Sequence, residues 1–131
     1  MNLAPDLVAY LKADATILGL LGTRFSPLQL PQGPTYPHLV YYKPSAVRYR
    51  NIMNGPSGRV LVRQSLQIFS PKYSDLVTLS NAIRVRLDGF RGTMGSSIIG
   101  ATKLENEIEF NEPGVQVYSV TQDYLISLRE T

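Results

Sequence analysis

Residues 59–69 read RVLVRQSLQIF, and residues 70–89 continue as SPKYSDLVTLSNAIRVRLDG. The first run alternates: Val60, Val62, Leu66 and Ile68 share one face of an extended strand, while Leu61, Arg63, Ser65 and Gln67 share the other. One face therefore belongs to a core, and the opposite one is mostly polar. The period then changes. Leu76, Leu79, Ile83 and Leu87 recur at three- and four-residue spacing with Ala82 alongside, one stripe of a helix that Ser70-Pro71 or Ser74 can start and Gly89 or Gly92 can end. A half-apolar strand leading into a helix with one apolar stripe predicts that the two close on each other, with Leu79 and Ile83 against Val62 and Leu66.

Upstream, Leu3, Leu7 and Leu11 fall four apart beside Val8, a short amphipathic helix that Pro5 can begin. Asp14 can cap a second helical piece carrying Ile17, Leu18, Leu20 and Leu21, with Gly22 as its stop. Pro27, Pro31, Gly33, Pro34 and Pro37 make 26–37 an extended loop, which delivers the chain to a β-forming run from His38 to Tyr42 ended by Pro44. Residues 44–58 lack apolar periodicity and read as a long, functional or mobile loop. Its Val47, Arg48, Tyr49, Arg50, Ile52 and Met53 are candidate interface residues, since Arg, Tyr and Met are enriched at interface cores and a free loop would have to expose the apolar ones. The expectation is a segment that becomes ordered on assembly.

Downstream of the helix, Gly92, Gly95 and Gly100 mark a hinge-like mobile connection and match no phosphate-cradling spacing. From Lys103 to Phe110, Leu104, Ile108 and Phe110 alternate with Glu105, Glu107 and Glu109. Asn111-Glu112-Pro113-Gly114 signals a turn into a last strand with Tyr118, Val120, Tyr124, Ile126 and Leu128 on one face. The order is helices, strand, long loop, strand, helix, hairpin. It closes as one α+β domain over residues 1–131, a mostly antiparallel sheet of about four strands with helices packed on one face.

Composition narrows the function. The 131 residues carry no cysteine, which excludes disulfides and thiolate metal sites. Charged residues make up 18% of the chain against about 25% in an average soluble domain, which leaves room for surface covered by other subunits. The net charge of +3 is spread along the chain, short of the dense basic footprint of a dedicated nucleic-acid binder. Asp6 interrupts the first apolar stretch where a signal peptide would need its core, and no stretch reaches bilayer-spanning length, so the chain reads as soluble when made.

Chemistry has little to stand on. His38 has no second histidine or cysteine to complete a metal site and no serine motif to serve. The row Glu105, Glu107 and Glu109 has the spacing of a strand's solvent face; as a functional element it would contact basic groups of a neighbouring subunit or line a channel where like charge repels DNA phosphates. Neither a cofactor nor a metal is expected.

Taken in order, Gly22-Thr23-Arg24-Phe25 after a leucine-rich helical start, Pro31-Gln32-Gly33 leading into Tyr36-Pro37-His38-Leu39-Val40, the run Val62 to Ser70, the helix ending Leu87-Asp88-Gly89-Phe90 and the final strand resemble the tail completion (tail terminator) proteins of long-tailed bacteriophages. The resemblance covers nearly the whole chain and implies a single tail-terminator-like domain with no catalytic residues. It further implies a ring of copies of the chain, commonly a hexamer, that ends growth of the tail tube and meets the head connector proteins. The tail tube protein would be a partner, DNA passing cargo, and no membrane would be involved. The place implied is the virion, and the host cytoplasm during assembly. Residues 44–58 and 92–100 would be the contact elements. A head-side connector or other small joining protein is the alternative within the virion. A nucleic-acid-binding module using Arg48, Tyr49, Arg50 and Arg59 is the alternative of another class.

Overall fold

The computed structural model describes residues 3–50, 56–95, 97–112 and 117–129, with the backbone alone at 47–50, 56–58 and 112. Helix α1 (Leu3–Lys12) buries the leucines spaced four apart, Leu3, Leu7 and Leu11. Asp14 opens α2 (Ala15–Leu21): its carboxylate accepts from the N–H groups of Thr16 at 2.9 Å and Ile17 at 3.2 Å, two of the donors that a helix start leaves unpaired. Gly22, at φ 57°, ends it. Strands β1 (Phe25–Pro27), β2 (His38–Arg50) and β3 (Pro56–Ser70) follow, then α3 (Tyr73–Leu87), β4 (Gly92–Met94), β5 (Ser97–Glu112) and β6 (Val117–Arg129). Ser70 braces the start of α3, its Oγ exchanging hydrogen bonds with the Lys72 backbone.

Among the described residues the sheet has six strands in the order β1-β2-β3-β6-β5-β4, antiparallel except for the parallel β1–β2 pair. The expected sheet of about four strands is therefore too small. The two extra strands are three residues long and sit in the Pro-rich and Gly-rich stretches, where no periodicity announces them. Pro27 is tolerated because β1 is an edge, where a missing N–H breaks no ladder.

A single cluster joins Leu7, Leu11, Ile17 and Leu21 to the α3 stripe and to the sheet face bearing Val60, Val62, Leu66, Ile68, Tyr124 and Ile126. Leu76, Leu79, Ile83 and Leu87 are fully buried in it. The expected closure of Leu79 and Ile83 on the Val62–Leu66 face is what forms. Within β6, Val120, Tyr124, Ile126 and Leu128 join that core, while Tyr118 lies at its margin and meets the Tyr73 ring edge-on at 5.5 Å.

Two expected loops are strand instead. Residues 44–50 continue β2, pairing Ser45 with Arg63, Ala46 with Val62, Val47 with Leu61 and Arg48 with Val60. Pro44 falls where the register shifts between Tyr42 and Ser45, so its missing N–H is absorbed by a bulge. The loop expected over 44–58 is thus largely two antiparallel strands, and residues 51–55 between them lie outside the described residues. Likewise the Gly-rich stretch forms a β4–β5 hairpin, with Gly92 opposite Ile99. Met94 and Ser97 are buried there, and Ser97 donates to the Asp6 carboxylate at 2.6 Å. Gly95 holds φ 58°, and a Cβ on it would run into that carboxylate. The hinge reading fails because α1 clamps the hairpin.

Candidate assembly surface

The glutamate row is decided by one residue too many. Along β5, Thr102 faces Ile126 and Leu104 faces Tyr124, but the next pair is Asn106 with Asp123. Two residues of β5 oppose one of β6, and every later side chain changes face. Glu107 now pairs with Gln122 and Glu109 with Val120 on the helix-bearing face, while Ile108 and Phe110 lie opposite Thr121 and Ser119 on the far one. Side-chain contacts agree. Glu105 at the bulge meets Arg63, a far-face residue of β3. Glu107 accepts from Gln122 Nε2 at 2.6 Å, and Glu109 accepts from the hydroxyl of Tyr73 on α3 at 2.8 Å. The three glutamates are exposed to solvent as expected, but they do not share one face of the strand. Ile108 and Phe110 are 53% and 57% exposed.

Behind Glu107 stands a buried polar relay. Tyr124 donates to Gln122 Oε1 at 2.9 Å, and Gln122 Nε2 also donates to the Ser80 carbonyl at 2.9 Å, tying β6 to α3. Burial pushes the Tyr124 phenol well up, with the charges of Glu107 and Asp88 adding, so it stays a neutral donor. The Tyr73 phenol is raised by its bond to Glu109 and by that carboxylate's charge. These contacts hold the second half of β5 against α3 and leave its outer row uncovered.

The other candidate group lies on the opposite flank. Val47, Arg48, Tyr49 and Arg50 belong to β2, the next-to-last strand on one side, as β5 is on the other. Ile52 and Met53 lie outside the described residues. The fold thus separates the basic and acidic groups across the sheet. Its local chemistry elsewhere is structural: His38 is buried, Ser26 Oγ stands 2.7 Å from Nε2, and Nδ1 lies 3.3 Å from the Thr35 carbonyl. Burial, aided by the charge of Arg24 and opposed by the Thr35 bond, lowers its pKa, which keeps it neutral, with Nδ1–H donating to Thr35 and Ser26 donating to Nε2. Among the described residues, no group of three or more His, Asp or Glu is placed to hold a metal ion, and no helix is long and apolar enough to cross a membrane.

Sequence reading missed Tyr73, Gln122 and Arg63 as partners of the glutamates. The one trace of the bulge is polar Asn106, standing where the alternation through Leu104 and Ile108 called for an apolar residue.

Fold and surface together define an α+β domain whose helices back one face of a sheet and leave Ile108 and Phe110 exposed on the other. The family model described as Tail completion protein gp17 matches residues 5–128, and the chain belongs to that family. It is a structural virion protein of the phage tail, not an enzyme. No curated protein matches the chain. Among solved structures, a chain from the virion of a native gene transfer agent (GTA) particle superposes with a TM-score of 0.74 at 11% identity, covering 94% of this chain and 91% of that one. At that identity the likeness is one of fold.

Proposed function

We propose that copies of this chain form a ring, a hexamer by the resemblance, that ends the tail tube and joins it to the head connector, with DNA passing through. The observation that carries the assembly reading is the far face of the sheet. All the helical packing is on the other side, and Ile108 and Phe110 stand exposed in the same rows as half-buried Phe69 and Gln67. A neighbouring subunit covering that row removes apolar area from water at about 25 cal/mol per Å². Membership of the tail completion family supports placing such an assembly at the end of a tail, and the resemblance of the GTA virion chain in fold is consistent with a virion setting. Mass measurement in solution with negative-stain imaging tests this. A closed particle with a central hole is expected, and a chain that stays monomeric at every concentration, alone and with tail tubes, refutes it.

A further inference from the structure

The sheet ends in two open flanks of opposite charge. On β2, the Leu39 N–H and the Tyr41 carbonyl face away from β3 and are taken up by Arg24 and Leu28 around β1. Strand alternation carried through the bulge turns the backbone groups of Ala46 and Arg48 to that same side, where β1 has already ended. On β5, the Thr102 carbonyl and the Leu104 N–H face away from β6 and are met by Gly89 and Asp88 at the end of α3. Alternation past the second bulge turns Glu107, Glu109 and Asn111 outward, and among the described residues no strand stands beside them, since β4 pairs only with 97–99. From Tyr42 to Arg50, β2 carries Lys43, Arg48 and Arg50 and no acid. From Glu105 to Glu112, β5 carries four glutamates and no cation.

We infer that the β5 edge of one copy pairs with the β2 edge of the next, so that the sheet runs on from subunit to subunit. This rests on the ring proposed above and names its joint. Within one chain β2 and β5 run antiparallel, through three successive antiparallel pairings, so a sheet continued with the same face outward makes an antiparallel joint, the more stable ladder. A register that matches outward groups sets Ala46 opposite Glu109 and Arg48 opposite Glu107, and it brings Lys43 beside Glu112 and Arg50 beside Glu105. Both Arg48 and Glu107 then lie on the helix-bearing face by register. Like edges would set glutamates against glutamates or cations against cations, which disfavours two-fold dimers. An unlike-edge contact is heterologous and closes into a ring when the rotation allows.

Charge exchange tests the joint. A variant with Glu107→Lys and Glu109→Lys has two basic edges, and one with Lys43→Glu and Arg48→Glu has two acidic edges. Each alone requires a concentration at least about tenfold higher for half-assembly by analytical ultracentrifugation, as reversed cross-strand pairs predict. Mixed one to one, they alternate and recover assembled particles at the wild-type concentration. The cysteine-free chain adds a measurement that leaves the glutamates untouched. Ser45→Cys with Phe110→Cys, neighbours in that register, gives an oxidised ladder of linked copies, while Ser45→Cys with Ile108→Cys does not. If wild type forms rings yet both charge variants assemble as it does, or the mixture gains nothing and the Ser45–Phe110 pair never links, the joint is wrong and the ring stands. A wild-type chain that never associates overturns the joint and the ring together.

Discussion

Replacing Leu79 by alanine is the sharpest test of how the fold is held. Leu79 is fully buried on α3, between Leu76 and Ile83 on its own stripe and facing the sheet row of Val62 and Leu66. Leucine-to-alanine changes at enclosed sites cost about 2–5 kcal/mol, with the larger values where neighbours cannot collapse into the space. Here the neighbours are fixed: α3 is tied to β6 through Gln122 and Ser80 and to the β5 edge through Asp88 and Gly89. The hole cannot be closed by sliding the helix, so the upper half of that range, about 3.5–5 kcal/mol, is expected. For a domain whose total stability is about 5–15 kcal/mol this is a large share. In urea, with a slope of about 1–3 kcal/mol per molar, it lowers the midpoint by more than about 1 M without changing the slope. Val85→Ala, on the exposed side of the same helix, should stay within about 0.5 kcal/mol of wild type. A Leu79→Ala loss no greater than that of Val85→Ala would show that α3 does not seal the core.

Asp14→Ala removes the acceptor that caps α2 and should cost about 1 kcal/mol in denaturant melts, whereas Asp14→Asn should recover most of it. Gly95→Ala faces both a left-handed backbone and the Asp6 carboxylate; a loss above about 1 kcal/mol is expected, and a neutral result would mean that α1 does not clamp the β4–β5 hairpin. His38 has a folded pKa below its ordinary 6.5, so the unfolded chain binds the proton more readily. Its contribution is fully present above pH 6.5 and is lost as pH falls through the lowered folded value; melting temperature should fall over that window in wild type and fall less in His38→Gln, and equal slopes would remove His38 as the cause.

The strongly periodic parts of the chain could be read directly. The β3 alternation, the α3 stripe, the α1 leucines and the Asp14 cap each follow from residue spacing, because burial on one face imposes it. What escaped was pairing that depends on partners remote in sequence. Residues 44–50 look like loop because Pro44 interrupts them, yet β3 offers a complete ladder and a bulge absorbs the proline. The three residues of β1 and of β4 are too few to show a period at all. The glutamate row was misplaced for a sharper reason: a bulge adds one residue, so the glutamate spacing stayed regular, with polar Asn106 the one break in the apolar row, while its meaning inverted past Leu104. Spacing alone could mark the candidate residues only as groups, and their faces and partners had to come from the sheet.

Strand β6 carries a consequence for the order in which the molecule is made. It is the last of the six strands in sequence and stands between β3 and β5, hydrogen-bonded along both sides, with Arg59 reaching across to Arg129 and Ser70 to Tyr118. During synthesis the β2–β3 hairpin and α3 emerge first, but the inner edge of β3 has nothing to pair with until residues 117–129 arrive. Closure is a long-range event, slow by its loop entropy, and until then two apolar strand edges are open to the wrong partner. A nascent or truncated chain lacking β6 is therefore the form most exposed to aggregation.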